Sequence, residues 1–194
     1  MTHAQAREIL RTAWRQVHGR APTEAELTYS AAIASLETGY GRAGQFGALA
    51  ARGQYNWGAL ERRRSADGTC PPGTAPGSDV GQVCFYVFDS DVEAAAAFLR
   101  TLTVRRPAVT AAMRGSPEDV ARAMRLSPAY YEGPPGDEDA KVRYYASAIR
   151  RNIAAAGRPV PSGGNGGGLS LGTAVILATA AGAGYWWYTE GRKT

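Results

Sequence analysis

Apolar positions recur at helical spacing over most of the first 156 residues, giving way to short β-prone runs between residues 54 and 88. Ile9, Leu10, Ala13, Trp14 and Val17 predict a helix over residues 4–17 that ends near Gly19. After the turn at Pro22, Thr23 and Glu26 have the spacing of a capping box, in which each side chain satisfies the other's free backbone N–H. The helix they open places Tyr29, Ile33, Leu36 and Tyr40 on one apolar stripe, with Glu37 at its half-sheltered edge. Between residues 54 and 88, Gly and Pro accompany the run Val83-Cys84-Phe85-Tyr86-Val87-Phe88, which predicts a small hairpin or short sheet. Asp89-Ser90-Asp91 then caps an alanine-rich helix reaching about Leu102, Pro107 opens another, and Ser116-Pro117-Glu118-Asp119 caps a third ending near Leu126. Residues 137–155 form the last globular helix. The expectation is a mainly helical α+β domain over residues 1–156 with a small β-hairpin lobe.

The pattern changes after that. Residues 157–168 hold two prolines and six glycines with almost nothing to bury, and read as a flexible linker. Residues 169–188 carry no charge, and as a helix they would span about 30 Å, the thickness of a bilayer's hydrocarbon core. Tyr185-Trp186-Trp187-Tyr188 falls where an aromatic belt belongs, and residues 189–194 form a short basic tail with Arg192 and Lys193. A C-terminal transmembrane helix is expected here; a soft buried helix rich in Ala and Gly is the alternative. No secretory apolar region is visible at the start, because Arg7, Glu8, Arg11 and Arg15 interrupt every apolar run.

The net charge of +5 is too mild to argue for nucleic acid, since residues 157–194 hold +2 of it. Arg62-Arg63-Arg64 and Arg105-Arg106 read as solvated surface. The two cysteines, Cys70 and Cys84, bracket a Pro- and Gly-rich stretch. Their pairing would constrain the unfolded chain by roughly 3 kcal/mol and imply an oxidising compartment; two unrelated reduced thiols are the alternative. His3 and His18 are too few for a metal site, neither cysteine has a histidine placed to activate it, and no cofactor is expected.

Glu37 carries the candidate chemistry. A carboxylate near a helix C-terminus faces the negative end of the macrodipole, which raises its pKa and suits a general acid. Gly39 and Gly41 stop the helix and allow close approach, and nearby aromatic rings offer flat faces for a sugar.

Four segments occur in order: Glu37-Thr38-Gly39-Tyr40-Gly41, Asn56-Trp57-Gly58-Ala59-Leu60, Phe85-Tyr86-Val87-Phe88-Asp89-Ser90 and Ala129-Tyr130-Tyr131-Glu132-Gly133. Together they resemble the lysozyme-like glucosaminidases and lytic transglycosylases that cut peptidoglycan, several of them phage encoded. The resemblance covers about residues 5–155. It implies a lysozyme-like domain in which Glu37 protonates the glycosidic oxygen, Asn56, Trp57 and Gly58 line the cleft, and Trp57 or Tyr40 stacks on an N-acetyl sugar. Tyr131, with Tyr130 as its rival, would stabilise the developing oxocarbenium charge. Core packing is the competing reading for Tyr40 and Trp57, and turn formation for Asn56. A hydrolase would need a second carboxylate, for which Glu61, Asp67 and Asp79 are candidates, unless the substrate's own N-acetyl group assists; a transglycosylase would need Glu37 alone.

The expected partners are peptidoglycan glycan strands, a membrane through residues 169–188, and virion or envelope proteins. The expected setting is a phage virion membrane or entry device, with the catalytic domain facing the cell wall. A non-catalytic, glycan-binding structural protein of lysozyme-like fold is the alternative.

Overall fold

The computed structural model describes residues 1–77, 83–125 and 138–157. Seven α-helices and a small three-stranded sheet are found among them, so the class is α+β. Helix α1 (His3–His18) and α2 (Glu24–Thr38) both begin on full capping boxes, Thr2 with Gln5 and Thr23 with Glu26. Each ends on a left-handed glycine, Gly19 or Gly39. Helix α3 (Gly44–Ala50) leads to strands β1 (Glu61–Arg63), β2 (Thr74–Pro76) and β3 (Val83–Tyr86). Helix α4 (Asp91–Leu99) is capped by the Ser90 hydroxyl and widens into a π-turn over Arg100–Val104. Helices α5 (Pro107–Ala112), α6 (Pro117–Arg125) and α7 (Glu138–Ala155) complete the fold.

Helix α2 differs from its expected form. Instead of one apolar stripe, nearly its whole circumference is buried, including Thr28, Ser30, Ala31, Ala32 and Ala34, while Leu36 is only half-buried. The physical reason is alanine: short side chains let α1 and α7 close on faces that a pattern of large apolar residues leaves unmarked. Glu37 is therefore 6% exposed, deeper than a stripe edge would place it. Tyr29, Ile33, Trp14, Leu99, Leu102, Met113, Met124 and Ile149 form the centre of the core around this helix.

The β lobe is a three-stranded antiparallel sheet in the order β1-β3-β2, larger than a single hairpin. Glu61 stands opposite Phe85, and Thr74 opposite Tyr86. Cys84 on the central strand is bonded to Cys70, with 5.7 Å between their Cα atoms, so the expected disulfide is present. None of the described helices is long and apolar enough to cross a membrane. The linker and transmembrane assignments beyond residue 157, and the calls on Asp79, Tyr130 and Tyr131, fall outside the described residues.

Candidate functional site

Glu37 is the penultimate residue of α2. The helix ends there because Gly39, Tyr40 and Gly41 are all left-handed, with φ of 55°, 59° and 70°. Tyr40 has a Cβ and should resist this conformation, at a cost of roughly 1–2 kcal/mol. Packing offsets the cost: Tyr40 is 5% exposed, its hydroxyl is hydrogen-bonded to His3 Nδ1, and its ring lies 5.5 Å from that of Trp57. Thr38 fixes the loop to the next segment, accepting from the Gly41 N–H and donating to the Trp57 carbonyl, each at 2.8 Å.

The segment at residues 56–60 is brought to this loop, but facing inward. Asn56 is fully buried; its Nδ2 donates to the Leu60 and Tyr86 carbonyls, and its Oδ1 accepts from the Leu60 and Gly58 N–H groups. Every polar position of this amide is thus used to shape the turn and join it to β3. Trp57 is also fully buried, with Nε1 donating to Asp91 Oδ1 at 2.8 Å. Asp91 in turn receives a bidentate pair from Arg42, whose guanidinium lies over the Tyr55 ring. Trp57 and Tyr40, expected to offer a stacking face to a sugar, both pack within the core. Gly58 is small for a similar reason: a Cβ there would lie 2.6 Å from Phe98 Cδ2 on α4.

The Glu37 carboxyl is buried as well. The Tyr145 hydroxyl on α7 donates to Oε1, whereas Oε2 is buried without a hydrogen-bond partner. Burial pushes the pKa well above the usual carboxylate range; the Tyr145 bond and the nearby Arg106 charge oppose this but do not overcome it. Burial thus favours the protonated form, the state in which a carboxyl can give up a proton.

Sequence reading missed both neighbours. Arg106, in a basic pair that reads as solvated surface, is instead 4% exposed; the residue before Pro107 is drawn into the fold where α5 starts. Tyr145 did have a signal, since it shares the α7 stripe of Val142, Ala146, Ile149 and Ile153, whereas Tyr144 is exposed.

Of the candidate second carboxylates, Asp67 is exposed and held low by hydrogen bonds from the Thr69 hydroxyl and N–H. Glu61 is 2% exposed, and burial alone raises its pKa to about 7. Among the described residues, no group of three or more His, Cys, Asp or Glu side chains is placed to hold a metal ion. Comparison of the chain with family models, curated proteins and solved structures finds no match.

Proposed function

We propose that this protein is a peptidoglycan-cleaving glycosidase with Glu37 as general acid. The observation that carries the reading is the Glu37 carboxyl itself: buried, held on one oxygen by Tyr145, without a partner on the other, and raised well above the ordinary range. Protonated, it would deliver its proton to the glycosidic oxygen as the bond to the anomeric carbon breaks. Arg106 would stabilise the carboxylate left behind, and the Tyr145 bond would strengthen as charge develops.

The resulting oxocarbenium ion can then be captured in two ways. In hydrolysis water attacks, assisted by a second carboxylate or by the substrate's own N-acetyl group. In transglycosylation the sugar's own 6-hydroxyl attacks, with Glu37 taking back a proton. The order of motifs further supports a lysozyme-like domain, with Tyr131 or Tyr130 at the sugar, and residues 169–188 as a membrane anchor holding it near the wall. A virion membrane or entry device is the proposed setting, and detection of the protein in purified particles by mass spectrometry tests that part.

One observation favours a second reading. Asn56, Trp57 and Gly58 are all used in internal packing, as in a non-catalytic structural protein that keeps a glycan-binding fold. Zymography on peptidoglycan separates the two: clearing by the wild type and none by a folded Glu37→Gln supports catalysis. Clearing by neither supports the structural role, and equal clearing by both removes Glu37 as the general acid.

A further inference from the structure

A pocket of about 240 Å³ opens between the β lobe and α4, lined by Leu60, Glu61, Phe88, Ala97, Arg100 and Arg105 among others. Two features give it chemistry. The first is Glu61, whose Oε1 is buried without a hydrogen-bond partner, a costly arrangement in a side chain that is only 2% exposed. The second is the π-turn that ends α4. Residues 100 and 105 would stand about 140° apart around an ordinary α-helix. Here the Arg105 N–H bonds back to the Arg100 carbonyl, five residues earlier, which turns the two residues toward the same side of the helix, and both arginines line the pocket.

Arg100 makes no ion pair with Glu61 or any other described carboxylate, so a cation and a buried acid sit in one pocket without neutralising each other. The best-matched ligand carries an anion and a hydrogen-bond donor a few bonds apart, with a small apolar group to meet Leu60, Phe88 and Ala97. A free peptide C-terminus has all three: its carboxylate, its last amide N–H and its side chain. Phosphate has no apolar group to meet Leu60, Phe88 and Ala97 and would set a second anion against Glu61, and a neutral N-acetyl sugar gives the arginines no charge to bind.

We infer that this pocket binds a free peptide C-terminus, with Arg100 and Arg105 on the carboxylate and Glu61 on the adjoining amide. In the wall substrate the source would be the stem peptides, and that attribution alone rests on the proposed function.

The test is calorimetric titration of the full chain with N-acetyl-alanyl-alanine, its C-terminal amide, inorganic phosphate and tri-N-acetylchitotriose. The expected result is saturable binding of the free acid, weakened at least ten-fold by C-terminal amidation and by Arg100→Ala, and at least five-fold by Glu61→Gln. Arg100 is exposed, so its variant should fold; circular dichroism checks both. Glu37→Gln should bind the peptide as the wild type does, so loss of wall clearing leaves this result standing. No saturable binding, equal affinity for acid and amide, indifference to Arg100→Ala, or tighter binding of phosphate or the sugar would each overturn the assignment.

Discussion

The Tyr145 hydroxyl on α7 donates a hydrogen bond to Oε1 of Glu37 at the end of α2, joining residues 108 positions apart in the chain. Because that bond favours the charged carboxylate, its removal should raise the Glu37 pKa further. In Tyr145→Phe the alkaline limb of the activity profile should therefore move to higher pH, since the general acid stays protonated longer. Loss of the bond should also cost about 1 kcal/mol of stability. A pH–rate profile beside a urea titration checks both; an unmoved limb would leave Tyr145 with a packing role only.

Stability should peak near pH 4.5–5. Arg20 holds Glu26 down to about 2 from an ordinary 4.5, so its contribution is complete above pH 4.5 and lost as pH falls toward 2. Because Arg20 is half exposed, that loss is about 2 kcal/mol. Glu61 acts in the opposite direction. Burial raises it from 4.5 to about 7, so the fold is fully favoured below 4.5 and loses up to about 3 kcal/mol as pH rises to 7. Glu37 adds to the same decline. Melting temperature against pH should show the peak, and Glu61→Gln should flatten its alkaline side.

Gly58→Ala should destabilise by about 1–3 kcal/mol, because the new Cβ would meet the Phe98 ring at 2.6 Å. Gly53→Ala serves as the contrast: it introduces a positive-φ strain at 74° but no contact within 4 Å. Chemical denaturation of the two should show the larger loss at Gly58 if packing against α4 is what demands glycine there.

Much of the helical framework was legible because its boundaries are local. Thr23 with Glu26, Ser90, Pro107, and Ser116 with Asp119 each announce a helix start within a few residues. The all-round burial of α2 was not legible, since alanines carry little pattern of their own. The inward turn of Trp57 was hidden too, because its partner Asp91 lies 34 residues away. Arg105 and Arg106 look alike in sequence, yet one lines a surface pocket and the other is buried beside Glu37; only the π-turn and the start of α5 distinguish them.

The Cys70–Cys84 disulfide closes a loop of about fifteen residues, and opening it should cost roughly 3 kcal/mol. Replacing both cysteines with alanine and comparing melting temperatures measures that loss. A change within about 0.5 kcal/mol would mean that the sheet holds this loop without the bond.

Release of soluble muropeptides from purified peptidoglycan, compared between the wild type and Glu37→Gln at matched folding, tests the catalytic claim most directly. The wild type should release fragments, and Glu37→Gln should slow release by at least about a hundred-fold. Equal rates for the two proteins, or no release by the wild type, would contradict Glu37 as the general acid.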